Sequence, residues 1–410
     1  MERVVVTGLG VVSCIGHDVA TFWHSLIEGV AGIGRIAAFD PTPYKSQIAG
    51  EVRDFDFDPR AAKRLARFAQ FALSASGQAL DQAGLSTNGE GSVDLARVGV
   101  SVGTGIGGFP FLEKEHAKFL DRGAGKFHPL TVPIVISNMA AANVAMRYGL
   151  RGPNLCISTA CATGNHSIGN ALDLIRLGRA DVMVAGGTEA VISPFSLNGY
   201  IQLRALSTRN DDPPKASRPF SIGRDGFVLA EGAGVLVLES LSHAEKRGAP
   251  ILAELLGFGM NSDAYHLTAP HPAAEGAASA MELAMKDAKL EPQAIDYISA
   301  HGTSTPLNDA LETAAIKQVF GDHASKLAIS SVKSMVGHSL GASAGIEAVA
   351  AVLTLMQGVL PPTINLDEPD PELDLDYVPN TAREADVKTV MSNSLAFGGH
   401  NAVVIFGKFG

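Results

Sequence analysis

Three side chains whose types could take part in nucleophilic catalysis, Cys161, His301 and His338, each lie in a turn of small residues. The segment C-I-S-T-A-C-A-T-G at 156–164 predicts a short apolar strand and a sharp turn before a helix over 165–179. Cys161 should then lie at the helix start, where the dipole favours a thiolate and backbone N–H groups can hold an oxyanion. A cysteine among small residues is also a common apolar filler, so this stretch alone leaves both roles open.

The two histidines occupy the same kind of position, where a predicted strand ends and the chain turns. His301 lies in A-H-G-T-S-T-P and His338 in V-G-H-S-L-G-A. In open α/β folds, ligands bind at the edge of the sheet where such turns meet, so all three residues could line one pocket. A single histidine in an apolar turn is usually structural, whereas the joint pattern favours a reactive site.

Other kinds of site fit the pattern less well. One cysteine and two histidines could hold Zn²⁺, but they lack the short paired spacing of common zinc sites. A serine or cysteine hydrolase would need a histidine oriented by a carboxylate, and G-x-S-x-G is absent. The run G-T-G-I-G-G at 103–108 lacks the well-placed downstream acid of a dinucleotide fingerprint. We therefore predict neither a metal site nor a nucleotide site.

The composition is that of a compact globular protein. The 410 residues are 46% hydrophobic and 18% charged, which excludes a disordered chain. A net charge of −10 argues against a general nucleic-acid binder. The three cysteines make no disulfide framework, and the sequence shows neither a signal peptide nor an apolar run long enough to span a membrane. We therefore expect a cytoplasmic protein that does not act at a membrane.

Predicted strands and helices alternate along the chain, which is typical of an α/β fold with mostly parallel sheets covered by helices. The pattern restarts near Gly248-Ala249-Pro250, and D-V-M-V-A-G-G-T-E at 181–189 is echoed by M-S-N-S-L-A-F-G-G-H-N at 391–401. This weak repeat predicts two halves descended from one unit. We place them at residues 1–250, which carry the cysteine, and 251–410, which carry the two histidines.

Four segments, in this order, resemble a known family: T-A-C-A-T-G, A-H-G-T-S-T-P, S-V-K-S-M-V-G-H and N-S-L-A-F-G-G-H-N. They look like the β-ketoacyl-acyl-carrier-protein synthases of fatty-acid synthesis, particularly the type II elongating enzyme. Further segments that match include V-V-V-T-G-L-G, R-A-L-S-T-R-N and P-P-T-I-N-L-D, so the resemblance spans essentially the whole chain.

The resemblance implies a thiolase-like fold of two duplicated α-β-α-β-α halves, and usually a homodimer. It assigns Cys161 as the nucleophile that accepts the acyl chain, and His301 and His338 as the residues that act on the malonyl group. Lys333 matches the active-site lysine of the family. Phe397 matches a gate whose backbone N–H joins that of Cys161 in the oxyanion hole.

The resemblance also implies residues that bind the substrate or lie close to the site. Thr303 and Thr305 match positions that contact the phosphopantetheine arm, and Ile106 matches a residue at the far end of the acyl tunnel. Glu312 and Glu347 match acids that neighbour the lysine. The phosphopantetheine arrives on the carrier protein, so the enzyme needs no cofactor of its own.

The activity that this family implies is the decarboxylative Claisen condensation of malonyl-carrier with an acyl chain held on Cys161. The chain grows by two carbons in fatty-acid biosynthesis. A dedicated ketosynthase of a polyketide or specialised lipid pathway is an alternative that the sequence barely separates. A non-catalytic partner subunit that sets chain length is disfavoured, because such subunits lack the cysteine.

The carrier proteins of this pathway are acidic, so a chain of net charge −10 needs a local basic patch to bind them. The alternative is that its basic residues are scattered and solvated. The candidate carrier-binding residues are Lys63, Arg64, Arg67, Lys126, Arg204 and Arg209.

Overall fold

The computed structural model describes residues 2–85, 93–123, 125 and 127–410. The strands are Val4–Val12 (β1), Gly34–Arg35 (β2), Ile48–Ala49 (β3), Val98–Gly103 (β4), Asn154–Leu155 (β5), Val182–Glu189 (β6), Gly232–Ser240 (β7), Ala253–Ser262 (β8), Tyr297–Ser299 (β9), Ala328–Ser330 (β10), Val359–Leu360 (β11), Arg383–Glu384 (β12), Thr389–Ala396 (β13) and His400–Gly407 (β14). The helices are Val19–Ile27 (α1), Pro59–Ala62 (α2), Arg67–Gln82 (α3), Phe109–Arg122 (α4), Thr131–Val135 (α5), Met139–Tyr148 (α6), Thr163–Arg176 (α7), Pro194–Gln202 (α8), Leu241–Arg247 (α9), Glu275–Ala288 (α10), Pro306–Phe320 (α11), Lys333–Val336 (α12) and Ser343–Gln357 (α13).

Ten strands form one mixed sheet in the order β10-β9-β13-β14-β8-β1-β7-β6-β4-β5. Its two ends are parallel, as β9 pairs with β10 and β13, and β4 with β5 and β6. Its centre is antiparallel from β13 to β14, β8, β1, β7 and β6. The mostly parallel arrangement expected from the alternating pattern therefore holds for the two ends of the sheet.

The sheet contains the same strand order twice. One set of five strands has the spatial order β5-β4-β6-β7-β1, and the other has β10-β9-β13-β14-β8. When the strands of each set are numbered along the chain, both orders read third, second, fourth, fifth and first. The echoed segments 181–189 and 391–401 supply the fourth strand of each set, β6 and β13, so the repeat seen in the sequence corresponds to a repeat of topology. The two sets meet at a short β1–β8 pairing. The division at residue 250 stays a prediction.

Helices α7 and α13 form the central layer. Both pack on strands of both sets: α13 lies against β7 and β13, and α7 against β6 and β8. Helices α3 and α6 cover the outer face of the first set, while α10 lies on β8 and β14 and packs against α11. Helices α7 and α13 thus lie between the strands of the two sets, with α3, α6 and α10 on the outside, as in the thiolase-like fold that the resemblance implied.

The two central helices approach each other at backbone distance. A Cβ added to Gly164 at the start of α7 would lie 2.5 Å from the backbone nitrogen of Gly345 in α13. A Cβ on Gly234 of β7 would lie 2.1 Å from the same helix. Because backbone atoms cannot yield as a flexible side chain would, glycine is required at these contacts.

Burial also explains the apolar composition of α13. By length and composition the segment Leu340–Gln357 could cross a membrane, but 89% of it is buried inside the protein. The helix has strands on both sides, so apolar residues are needed around its whole circumference.

Two helices differ from their predicted extents. The amphipathic pattern over 60–83 predicts one long helix, but the structure divides it into α2 and α3, with a break at 63–66 that exposes Lys63 and Arg64. Helix α7 begins at Thr163 and ends at Arg176, so Leu177, expected in its apolar stripe, follows the helix and is 72% exposed. The rest of the predicted stripe is buried.

Candidate active site

Cys161 lies in a tight turn that leads into α7. Ala160 has a φ of +49°, and a single 3-10 turn over Ala160–Ala162 connects it to the helix. The N–H of Thr159 donates to the hydroxyl of Thr163 at 2.9 Å, which fixes the turn. The side chain of Cys161 is buried and faces a cavity rather than the sheet.

His338 is held beside the cysteine by its own turn. Its Nε2 lies 3.1 Å from Cys161 Sγ. On the other side of the ring, the N–H of Leu340 donates to Nδ1 at 3.3 Å, and the Ser343 hydroxyl lies 2.9 Å from Nδ1. Because a backbone N–H can only donate, Nδ1 is an acceptor and the ring proton is on Nε2, pointing at the sulfur.

His301 follows strand β9 and is fixed through its backbone. The N–H groups of His301 and Gly302 each donate to the Glu312 carboxylate at 2.8 Å. Lys333 Nζ lies 3.3 Å from His301 Nδ1, and the two imidazole rings are 5.5 Å apart between centroids. When the ammonium donates to Nδ1, His301 also carries its ring proton on Nε2.

Lys333 links these groups from behind the pocket. It is 1% exposed, donates to the carbonyl of His301 at 2.7 Å and forms an ion pair with Glu347. The resemblance places Glu312 and Glu347 among the substrate-binding residues, but neither of them lines the cavity. Their carboxylates face the backbone of His301 and the ammonium of Lys333 respectively, so both support the site from outside it.

Both histidines are neutral. Burial and the nearby charge of Lys333 hold the pKa of His301 and of His338 well below the ordinary value of 6.5. The charge of the imidazolium is disfavoured both by the loss of water and by the adjacent ammonium. Two neutral imidazoles with Nε2–H groups directed into a pocket can donate hydrogen bonds to a developing oxyanion.

The thiol of Cys161 is protonated, whereas its position at a helix start predicts a thiolate. The helix dipole was expected to favour a thiolate, but burial raises the pKa of Cys161 to about 12. The charge of Lys333 and the backbone N–H groups of Phe397 and of Cys161 itself oppose this shift without outweighing it. Loss of hydration exceeds the effect of a partial helix charge, so the sulfur keeps its proton in the free protein.

The sulfur and the two imidazoles also satisfy the distances of a metal site. One ligand atom from each of Cys161, His301 and His338 lies within 4.8 Å of the others. A metal ion would need a lone pair on each Nε2 atom. Leu340 and Lys333 donate to the Nδ1 atoms, so the ring protons lie on the Nε2 atoms and occupy the positions that the metal would need. The cluster therefore fits hydrogen-bond donation better than metal binding.

The cavity above these residues has a volume of about 300 Å³. Besides the three reactive side chains, its lining includes Thr303, Thr305, Phe397 and, at the mouth, Arg204. The hydroxyl oxygens of Thr303 and Thr305 are 2.9 Å apart. The structure thus brings the residues assigned to the nucleophile, the two donors, the gate and the phosphopantetheine arm into one pocket.

Ile106 packs against the apolar cluster that contains Cys161. This cluster also contains Leu340, Ile192 and Phe227. Phe227 was not singled out from the sequence, although its ring contacts that of His338 edge to face at 5.1 Å between centroids. The segment R-D-G-F-V-L at 224–229 also resembles the family, but that resemblance does not show that the Phe227 ring lies against His338.

Another residue that the sequence reasoning missed is Glu189, at the end of β6. It is fully buried and accepts hydrogen bonds from two turns that surround the cluster of Cys161. The available signal was a carboxylate ending the otherwise uncharged strand V-M-V-A-G-G-T-E.

The predicted carrier-binding residues have different environments. Lys63, Arg64 and Arg204 are exposed. Arg209 is partly buried, and Lys126 lies outside the described residues. The side chain of Arg67 is 43% exposed, but its guanidinium forms an ion pair with the buried Glu231 at 2.8 Å and covers the ring of Phe71.

Similar solved structures include ketosynthases. One is a ketosynthase of a type II polyketide system, solved with its acyl-carrier protein and bound to a hexaketide; it is 38% identical, with a TM-score of 0.90 and 100% of both chains covered. A β-ketoacyl synthase from Burkholderia phymatum is 36% identical, with a TM-score of 0.91 and the same coverage. The thiolase-like fold is therefore confirmed.

Similar proteins also match along the whole sequence. The 3-oxoacyl-[acyl-carrier-protein] synthase 2 of Coxiella burnetii is 50% identical over 99% of both chains. The protein of the same name from Synechocystis is 49% identical over 100% of this chain and 98% of its own. The family models for the N-terminal and C-terminal domains of beta-ketoacyl synthase match residues 1–244 and 252–367. This chain belongs to the beta-ketoacyl synthase family.

Proposed function

We propose that this protein is a 3-oxoacyl-[acyl-carrier-protein] synthase that elongates acyl chains in fatty-acid biosynthesis. The observation that carries the proposal is the 3.1 Å contact between Cys161 Sγ and an imidazole Nε2–H, with a second neutral imidazole in the same pocket. The curated relatives, which match over nearly their whole length, carry this activity in their names.

The first step is transfer of the acyl group from the carrier thioester to Cys161. The Cys161 sulfur bonds to the acyl carbon, the carbon–sulfur bond to phosphopantetheine breaks, and the departing sulfur takes up the proton that the cysteine loses. One thioester replaces another, so the step needs no energy source. The Nε2–H of His338 stabilises the sulfur as it ionises, which compensates for a pKa raised by burial.

The second step is loss of CO₂ from malonyl-carrier. The carbon–carbon bond breaks, and its electron pair forms an enolate whose charge lies on the thioester oxygen. His301 and His338 donate their Nε2–H groups to this oxygen and stabilise charge that the substrate lacks. Because both rings are neutral, they act as hydrogen-bond donors without being titrated at neutral pH.

The third step forms the new carbon–carbon bond. The enolate carbon attacks the acyl carbonyl on Cys161, and the backbone N–H groups of Cys161 and Phe397 hold the resulting oxyanion. Collapse of this intermediate releases the 3-oxoacyl-carrier and leaves the Cys161 sulfur as a thiolate, which takes a proton from water. Removing one donor from an oxyanion hole typically costs about 10²- to 10³-fold in rate.

Two alternative functions can be distinguished from the proposed one. A ketosynthase of a polyketide pathway would use the same pocket, and solved relatives of that kind are 38 to 39% identical. The 48 to 50% identity to fatty-acid type synthases favours elongation in fatty-acid biosynthesis. A non-catalytic chain-length subunit is disfavoured because Cys161 and both donors are present and in contact.

The acyl carrier protein is the proposed partner, docking at the mouth of the cavity. Arg204 is exposed there beside Leu203, and Arg209 lies farther along the same loop. Lys63 and Arg64 are exposed in the break before α3 and are the other candidates for contact with the acidic carrier. Arg67 is left out of this surface because Glu231 neutralises its charge.

A homodimer is the proposed assembly. Strand β5 ends the sheet and is paired on one side with β4. Nearby helices expose large apolar side chains, including Leu120 at 71%, Val132 at 68% and Met146 at 66%. An unpaired strand edge beside exposed apolar residues suits association with a second copy of this chain.

Replacing Cys161 by alanine should abolish formation of 3-oxoacyl-carrier while malonyl-carrier still loses CO₂, because the two imidazoles remain in place. Product formation and ¹⁴CO₂ release would be measured in parallel, with Cys14→Ala as the matched control. Retained condensation in Cys161→Ala would exclude the proposed nucleophile.

The rate of malonyl decarboxylation should not change between about pH 6 and pH 8. An ordinary histidine, with a pKa of ~6.5, would titrate in this range, whereas both imidazoles here stay neutral throughout it. Lys333→Met removes the positive charge that lowers both pKa values, so these values rise and the rate at pH 6 should fall relative to that at pH 8. The single variant leaves the Glu347 carboxylate without its partner. The double variant Lys333→Met/Glu347→Gln removes that carboxylate as well and should show the same trend. A wild-type rate that falls steeply below pH 7 would contradict neutral donors.

Replacing Arg204 by glutamate should raise KM for acyl-carrier several-fold, with little change in kcat, because it reverses a charge at the mouth without touching the reacting atoms. The effect should shrink as salt is added. Arg179→Glu, an exposed arginine at the distant end of α7, is the matched control. Equal KM values for the two variants would contradict docking at this mouth.

Sedimentation equilibrium should give the mass of two chains for the wild-type protein. Val132→Glu/Met146→Glu introduces charges into the proposed interface and should yield monomers. Leu177→Glu, at a residue that is 72% exposed and follows α7 rather than belonging to α4, α5 or α6, should remain dimeric. A monomeric wild-type protein at micromolar concentration would refute the assembly.

A further inference from the structure

Glu189 is a fully buried carboxylate bound by hydrogen-bond donors instead of a cation. Its Oε1 accepts from the Thr104 hydroxyl at 2.7 Å and from the Ile106 N–H at 3.3 Å. Its Oε2 accepts from the N–H groups of Gly105 at 2.7 Å and of Gly341 at 3.2 Å. Within the described residues, no lysine or arginine forms an ion pair with it. Each carboxylate oxygen thus accepts two hydrogen bonds, and the four donors come from two different turns.

The two turns close directly on this carboxylate. A Cβ on Gly105 would lie 2.7 Å from Glu189 Oε2, and a Cβ on Gly341 would lie 2.5 Å from the Gly105 nitrogen. Strand β6 is equally close, because a Cβ on Gly187 would lie 2.0 Å from the carbonyl oxygen of Gly341. The carboxylate therefore occupies a tight junction among β6 and both turns.

Gly341 occupies the same position in its half as Cys161 does in the other. Ala160 has a φ of +49° and Leu340 a φ of +47°, and each begins a single 3-10 turn that leads into a central helix. The residue that follows is Cys161 in one half and Gly341 in the other. A turn of this form directs backbone N–H groups at an acceptor, and at Gly341 the acceptor is the carboxyl group of Glu189. Burial raises the pKa of Glu189 to about 7, and the four hydrogen-bond donors oppose this rise.

Each bonded turn carries a side chain of the apolar cluster that contains Cys161. Ile106 follows Gly105, and Leu340 precedes Gly341; both belong to that cluster, and Leu340 also lines the cavity. Glu189 itself is screened from the cavity. Its hydrogen bonds therefore fix two turns, one carrying the cavity-lining Leu340 and the other carrying Ile106, without lining the cavity itself.

We propose that Glu189 is a positioning residue that sets the acyl-chain length accepted on Cys161 by bonding the Thr104–Ile106 turn to the Leu340–Gly341 turn. This inference rests on the proposed function. A carboxylate that only stabilised the fold would change the melting temperature and lower activity on all chain lengths alike. A positioning residue changes the preference among chain lengths.

The test uses Glu189→Gln in the full-length protein. An amide offers one acceptor oxygen. Its NH₂ group would face the Ile106 N–H in one orientation and the N–H groups of Gly105 and Gly341 in the other, so either orientation weakens the bonding of the two turns. Wild type and variant would be incubated with acyl-carriers of graded chain length, and the acyl group on Cys161 would be identified by intact mass. We expect the loading preference between short and long chains to change by roughly tenfold, as loss of a hydrogen bond to a charged group does.

Matched variants separate positioning from stability. Thr104→Ser keeps the hydroxyl donor and should load chains as the wild type does, whereas Thr104→Val removes it and should shift the preference in the same direction as Glu189→Gln. Glu239→Gln, at another fully buried carboxylate, on β7 and bonded to Arg247 and His243, should change stability but not preference.

The outcomes distinguish this inference from the proposed function. If the wild-type protein does not become acylated on Cys161, the proposed function fails. If the wild-type protein is acylated and Glu189→Gln, folded by circular dichroism, loads every chain length in wild-type proportions, the positioning role is refuted. A shift in Glu189→Gln that Glu239→Gln reproduces would also refute it. Should Glu189→Gln not fold, the comparison of Thr104→Val with Thr104→Ser decides the same question.

Discussion

The backbone contact between the starts of α7 and α13 determines the geometry of the whole site. Cys161 lies immediately before one helix and His338 shortly before the other, so their separation follows from how closely the helices approach. Glycine at 164, 234 and 345 permits an approach that any side chain would prevent. The 3.1 Å sulfur-to-nitrogen distance is thus a result of core packing rather than of a flexible loop.

The same packing buries the reactive groups, and burial governs their protonation. It keeps the two imidazoles neutral and the thiol protonated, while Lys333 forms an ion pair with Glu347. The site therefore stores little charge before the substrate arrives. Its hydrogen-bond donors are oriented in advance, so charge that develops during the reaction meets fixed dipoles.

Much of this arrangement could be predicted from the sequence. Cys161, His301 and His338 each follow a predicted strand in a turn of small residues, and the order of the motifs indicated the duplicated fold. Local patterns cannot report what a distant segment does to a side chain. The pairing of Arg67 with Glu231, residues 164 apart in sequence, removes a charge that seemed free, and burial raises the pKa of the Cys161 thiol. Glu189 was missed for the same reason, because its partners lie in two separate turns.

The placement of α13 in the central layer has a consequence for the order of events during synthesis of the chain. The strands of the first half are translated long before the helix that covers their inner face, and Cys161 precedes both histidines by well over a hundred residues. An emerging chain therefore carries a thiol with no imidazole beside it. Competence for acyl transfer arises late and all at once, after Gln357 has been added and the last-made strands have closed over the two central helices.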